Sequence, residues 1–196
     1  MKDTYHHGNL RNALIEAGIK IITENGEEAL SLRKVAAACG VSHAAPYAHF
    51  ADKESLLNAI KETVTNGLID ELKSAAHDPS IKSAEDAIMA MGEKYILFFR
   101  NHPDYFNFLF QKQQIKIHTD MSKEDPEDYE PFTHLKRYVK KFFEEKNMNL
   151  SDVEQEMFIL QTWGIVQGLA SVASMSGVEV SIPWEVIAKE CIKGNR

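Results

Sequence analysis

A chain of 196 residues with 44% hydrophobic and 26% charged residues can hold one good core, or a small module joined to a larger one. Its net charge of −7 argues against a uniformly basic surface. The charge is uneven, however: residues 1–50 carry five Lys/Arg and five Asp/Glu, so the whole excess of acid lies downstream, and a locally neutral face can still meet an anionic partner.

Helical periodicity runs through the whole chain and strand alternation is nearly absent, so the fold class expected is all-α, with about nine helices. Asn9 is placed to cap a first helix with Leu10, Leu14, Ala17 and Ile21 on one face, ended by Asn25-Gly26. Ser31 caps a short second helix (Leu32, Val35, Ala36, Cys39) that Gly40 ends, and a third runs from Ser42 to about Phe50. Asp52 opens a long fourth helix with the stripe Leu56, Ile60, Val64, Leu68, Leu72, running to about Ala75. After the loop at His77–Ser80, Ser83 with Asp86 starts a helix through Ile88, Met91, Tyr95 and Phe98. Pro103 suits the first turn of the next, to about Lys112. Asp120 to Glu130 reads as an acidic loop, and Phe132, Leu135, Val139, Phe142 and Phe143 mark the helix after it. Ser151 with Glu154 caps a long helix to about Ser176, terminated by Gly177, and Pro183 starts a last one through Val186, Ile187 and Cys191.

The stretch GVSHAAPYAHF, residues 40–50, sets a helix start at Ser42 against a proline four residues on. Spacing makes the second helix, the Gly40 turn and the third helix a helix-turn-helix, in which the short third helix enters the DNA major groove. If Ser42 is the cap, Pro46 stands where the first backbone N–H bond would form, and a tightened or bent start follows; if the helix begins one or two residues later, Pro46 falls among the positions whose N–H is unpaired anyway. Ala44 and Ala45 keep the approaching surface slim. Tyr47, His49 and Lys53 can donate to phosphates, helix starts at Ser31 and Ser42 can do the same, and Arg33 and His43 are the candidate base readers.

With those residues in place, residues 10–60 resemble the DNA-binding domain of the TetR/AcrR family of bacterial transcriptional regulators. The run is LIEAGIKIITENGEEALSLRKVAAACGVSHAAPYAHFADKESLLNAI, and its most specific part is GVS followed by Tyr47, His49, Phe50, Lys53, Glu54 and Leu56. Pro46 stands where the family usually has leucine; with YHHGNLR at residues 5–11 it resembles a subgroup with a WHG C-terminal domain. The matching run there is Trp163 to Gly168, with Gln167 in place of the histidine. The resemblance implies a helix-turn-helix domain over residues 1–52 and a ligand-binding and dimerisation domain over 53–196. It further implies a homodimer on a palindromic double-stranded operator, released by a small-molecule effector.

Aromatic residues crowd the second part. Most are core; by analogy with the family, Tyr95, Phe98, Phe106, Phe110, Gln161 and Trp163 are the candidate ligand contacts. On the helix 151–176, Phe158, Thr162, Ile165, Leu169 and Val172 form a stripe for the helix's own bundle. Gly164, Gly168, Ser171 and Met175 form a small-residue stripe that, with Trp184, Ile187 and Cys191, suits either a dimer seam or tight packing within one subunit. His6-His7 and the group His118, Asp120, Asp125, Glu127, Asp128, His134 invite a metal, but their spacing fits no known ligand loop, so no metal or cofactor is expected. No phosphate loop, HExxH or nucleophile elbow is present. Cys39 and Cys191 read as buried inert thiols, and no signal peptide or membrane span is visible, which points to a cytoplasmic protein. The expected function is a ligand-responsive dimeric DNA-binding regulator, most simply a repressor, and not an enzyme. The alternative is a helical carrier or enzyme with a non-functional helix-turn-helix.

Overall fold

The computed structural model describes residues 7–110 and 115–193, with the side chains of residues 7–9 left out; the His6-His7 pair therefore lies outside the described side chains. Eight α-helices and two short 3-10 turns make up the described chain, which divides into two compact units, one through Val64 and one from Thr65. The division falls inside a helix, whereas the sequence expectation put it at residue 52/53.

The first unit holds α1 (His7–Asn25), a 3-10 turn at Glu27–Ala29, α2 (Leu32–Ala38), a 3-10 turn at Ala45–Ala48 and the start of α3 (Lys53–Ala76). Asn9 sits inside α1 and is not its cap. Leu14 and Ile15 of α1, Leu32, Val35 and Ala36 of α2, and Leu56 and Ile60 of α3 form the core with Leu30 and Phe50. Asp52 caps α3: its Oδ1 accepts from Ser55 N at 2.8 Å.

The second unit is built around α4 (Ala84–Asn101), which packs on α5 (Pro103–Phe110), α6 (Glu130–Glu145), α7 (Asp152–Ala173) and α8 (Trp184–Lys193). A helix with four neighbours needs a broad apolar face, and α4 buries Ala84, Ala87, Ile88, Met91, Gly92, Tyr95, Ile96 and Phe99. A Cβ at Gly92 would stand 2.8 Å from Ile192 Cδ1 and 3.1 Å from Val166 Cγ1, so glycine there is what lets α7 and α8 close on α4. Ser83 caps α4 by accepting from Asp86 N at 3.1 Å; the shorter Asp86 carboxylate reaches Lys82 N, not the cap's own N–H. The Ser151/Glu154 capping box of α7 is complete. That helix ends at Ala173, not Ser176, because Ser174 Oγ turns back to the carbonyls of Ala170 and Phe99; Gly177 is not its terminator.

The loop before α6 is more than a solvated acidic segment. Lys136 of α6 is 3% exposed and donates to the carbonyls of His118, Asp120 and Lys123 at 3.0, 2.8 and 2.7 Å. Three carbonyls from a single loop converge on one ammonium, which fixes the loop much as a cation would. Cys191 is exposed and Cys39 half-buried, its thiol 3.4 Å from Ala13 O, so neither is the fully buried thiol expected.

Candidate nucleic-acid interface and effector cavity

The segment read as a third helix is a single 3-10 turn, Ala45–Ala48, whose cap position is Ala44 with no side-chain bond. This corrects the expected α-helix from Ser42 in favour of the later start, with Pro46 in the first turn, and proline explains it. Pro46 has no N–H to close an α-helical bond, so the backbone bonds i to i+3: Ala45 N to Ser42 O at 3.0 Å, Tyr47 N to Ala44 O at 3.2 Å, His49 N to Pro46 O at 2.9 Å. The Pro46 ring is fully buried, so the proline both shapes the turn and pins it to the core. Before the turn, Gly40 (φ +66°) ends α2 with paired bonds from Gly40 N to Ala37 O and from Val41 N to Ala36 O. That left-handed position is where a Cβ is least tolerated.

Pinning the turn leaves a polar rim outside. Tyr47 is 62% exposed, and Arg33, Ser42, His43 and Ala44 are exposed. Ser31, Ala45, His49 and Lys53 are half-buried. Two of these side chains already have partners within the unit. Ser31 Oγ accepts from Lys34 N at 3.2 Å as the cap of α2, which leaves the helix's own N-terminal N–H groups as its anion-facing feature. Lys53 Nζ donates to Glu27 O at 3.0 Å, leaving two N–H bonds for another acceptor. Phe50 is buried under the guanidinium of Arg11, 5.6 Å from the ring centroid, a contact no spacing argument revealed.

In the second unit, a partly open cavity of about 80 Å³ lies among α3, α4, α6, α7 and α8. Of the expected ligand contacts, Tyr95, Gln161 and Trp163 line it. Phe106 and Phe110 line a separate open groove, and Phe98 lines neither, packing instead on His102 and Tyr105. Trp163 borders both spaces. The Tyr95 phenol donates to Gln167 Oε1 at 2.5 Å, and burial together with the neighbouring Tyr129 phenol pushes its ionisation well above the usual range. The Tyr129 hydroxyl is buried beside it without a hydrogen bond of acceptable geometry. Tyr129 sits in the turn before α6, where periodicity carries no signal.

On α7 the two expected stripes change places in part. Ile159, Val166 and Ala170 are buried, while Val153, Met157, Leu160, Val172 and Met175 are exposed. A Cβ at Gly164 or Gly168 would meet nothing within 4 Å among the described residues, so neither glycine serves packing inside the subunit. Trp184, expected at a dimer seam, is buried within its own chain, and Val172 faces out, not into its own bundle. His118, Asp125 and Asp128 place one ligand atom each within 4.8 Å of one another, apart from Asp120, Glu127 and His134. Two of them already have partners: Lys116 Nζ reaches Asp125, as well as Glu127, and His118 Nδ1 is 2.8 Å from Asp128.

Residues 14–60 match the model for bacterial regulatory proteins of the tetR family. The HTH-type transcriptional regulator YerO of Bacillus subtilis (strain 168), itself uncharacterized, is 25% identical over 112 residues, which cover 54% of this chain but only 39% of that relative. A protein with unknown function from Rhodococcus sp. RHA1 superimposes with a TM-score of 0.74 at 22% identity, over 98% of this chain and 96% of its own. AibR, in a structure with isovaleryl coenzyme A and operator DNA, gives 0.64 at 20% identity over 94% and 97%. At these identities the structural matches speak to the fold, while the matched N-terminal stretch spans the capped α2, the Gly40 turn and the Pro46 turn just described. That stretch is what the chain shares with bacterial regulatory proteins of the tetR family.

Proposed function

We propose that the protein is a dimeric DNA-binding transcriptional regulator, and a repressor that a small molecule releases from a palindromic operator. One observation carries the reading: a turn too short for a free-standing helix is anchored by buried Pro46 and Phe50 while presenting His43, Ala44 and Tyr47 outward. A core-only role would not leave Tyr47 62% exposed. In this reading Tyr47, His49 and the remaining Lys53 donors meet phosphates, the starts of α2 and the turn at Ser31 and Ser42 add backbone donors, and Arg33 and His43 reach base edges. Ala44 and Ala45 permit close approach.

The exposed row on α7, running from Val153 through Met157, Leu160, Gly164 and Gly168 to Met175 just past the helix end, supports a homodimer, with Ser171 and Ile187 beside it. Two-fold symmetry then sets two reading turns about 34–36 Å apart on successive major grooves. The cavity supports an effector, and Tyr95, Gln161 and Trp163 are its contacts. α3 starts at Lys53 and carries Leu72 of the cavity wall, so it is the covalent route between effector and DNA. A coupling of about 1–3 kcal/mol is enough for a switch.

Operator selection from random DNA with the purified protein tests the reading. A palindrome with half-sites about one helical turn apart should emerge, and its affinity should fall steeply with salt. A protein that enriches no sequence, or binds with a flat salt response, would instead be a helical carrier or enzyme.

A further inference from the structure

The cavity alone is too small for its proposed task. A cavity of about 80 Å³ falls well below the roughly 300–1,000 Å³ that ligand pockets occupy. The space next to it is an open groove of about 1280 Å³ bordered by Phe106, Phe110 and α7, and also by Gly164, Gly168, Ser171 and Met175 of the row proposed for the dimer. Only a thin wall separates the two. Trp163 borders both; Tyr95 borders the cavity, Gln167 borders the groove, and the hydrogen bond between Tyr95 and Gln167 ties one side to the other. Packing holds the indole in that wall, with ring centroids at 5.3 Å to Tyr95, 6.0 Å to Tyr129 and 5.3 Å to Phe132.

The wall also defines what can cross it. No charged side chain lines the cavity, and Arg100 and Asp104 line only the groove, so an ionised group seated in the cavity would lack a counter-charge, at a cost of several kcal/mol. The Thr162 hydroxyl, also in the lining, is held by Phe158 O at 2.8 Å. Tyr95, whose present acceptor is Gln167, and Tyr129, whose buried hydroxyl has no protein acceptor of good geometry, are two adjacent phenols. A phenol is a good donor to a carbonyl or ether oxygen. An acceptor arriving from the groove would satisfy both, provided the Gln167 amide gives way.

We propose that this unit binds a neutral, mainly apolar ring compound carrying one hydrogen-bond acceptor, which replaces the Gln167 amide on Tyr95 and joins the cavity to the groove past Trp163. The inference rests on reading the unit as an effector site. It makes Gln167 a gate residue that competes with the ligand, and Tyr95 with Tyr129 the specificity pair.

Equilibrium dialysis of the full chain against three probes of one shape tests it. Benzophenone has two rings and a carbonyl, diphenylmethane lacks the carbonyl, and 4-benzoylbenzoate adds a charge. The wild type should bind benzophenone about tenfold more tightly than diphenylmethane, the value of one well-made hydrogen bond, and 4-benzoylbenzoate more weakly still. Tyr95→Phe should bring the benzophenone to diphenylmethane ratio to about one. Gln167→Leu, at a half-buried position, should raise benzophenone affinity several-fold by removing the competing acceptor, and it carries the test should Tyr95→Phe not fold. Equal binding of the two neutral probes, preference for the charged probe, no binding of any probe, or unchanged benzophenone affinity in Gln167→Leu would overturn the proposal. Operator affinity measured on the same samples separates the two readings. A tenfold preference with no change in operator affinity leaves the gate standing and removes the effector role. Loss of the preference removes the gate, while the effector role stays open to other ligands.

Discussion

The two units manage their apolar surface in opposite ways. Among the described residues of the first unit, Tyr47 is the only large apolar side chain left exposed, and it carries a hydroxyl. The second exposes Val153, Met157, Leu160 and Val172 on one helix, then Met175, Val180, Ile182 and Val186 beyond it. A unit that covers its apolar surface and offers polar groups suits a wet, charged partner, whereas one that leaves an apolar row open suits another protein surface. The contrast ties each surface to its own partner class and can be broken one face at a time.

The largest effect is expected where the first unit joins rim to core. Phe50→Ala removes a ring that is 3% exposed and should cost about 3–5 kcal/mol by chemical denaturation, taking operator binding with it. Tyr47→Ala, three residues away, should leave stability within about 0.5 kcal/mol while weakening operator binding, because its side chain makes no core contact to lose. A large stability loss in Tyr47→Ala would show that the turn's rim and core are not separate.

On the second unit the matching experiment is Met157→Glu with Leu160→Glu. Burying two unpaired carboxylates at a dimer seam should weaken self-association by about 100-fold, equivalent to about 2.7 kcal/mol, as read by sedimentation. The monomer's melting temperature should hardly move, since both positions are exposed within the subunit. Unchanged association would put the seam elsewhere.

Glycines sharpen the same contrast within one unit. Gly92→Ala drives a methyl against Ile192 and Val166 and should cost about 1–3 kcal/mol. Gly168→Ala meets open space and should stabilise the isolated subunit by about 1 kcal/mol through helix propensity, while weakening the dimer. Chemical denaturation at low and high protein concentration separates the two terms.

These residues also show where sequence reasoning reaches its limit. Ser31, Gly40, Asp52, Ser83 and Ser151 announce helix ends because a cap is a local matter of a few residues, and the α3 stripe from Leu56 to Leu72 was legible because it repeats at the helical period. Pro46 was legible as trouble but not as a solution, since only the fold shows its ring filling the core. The walls of the cavity come from five helices, so periodicity could show neither that Phe98 packs on His102 and Tyr105 nor that Tyr129, in a turn, lies beside Tyr95. Lys136 looked like one more surface lysine of an amphipathic helix, and nothing local hints at the three carbonyls it gathers.

The smallest effect expected is a pH dependence confined to the second unit. Burial raises the ionisation of both Tyr95 and Tyr129 above the usual phenol value near 10. The unfolded chain then gives up these protons before the folded one, so the folded state holds more protons and stability falls as pH rises from about 10. Below that value the neutral phenols contribute fully. At pH 10.5 the loss is about 0.8 kcal/mol for each phenol, from the linkage slope of about 1.4 kcal/mol per pH unit. Tyr129→Phe should remove one phenol's share of the alkaline loss and trim that of Tyr95, since the Tyr129 phenol is one cause of its raised ionisation, while Tyr95 keeps Gln167 as its acceptor. Absorbance at 295 nm during alkaline titration gives the same answer by a second route, because the two buried phenols should ionise only as the unit unfolds. If either titrates while the helical circular dichroism is still intact, then water already reaches the wall between cavity and groove.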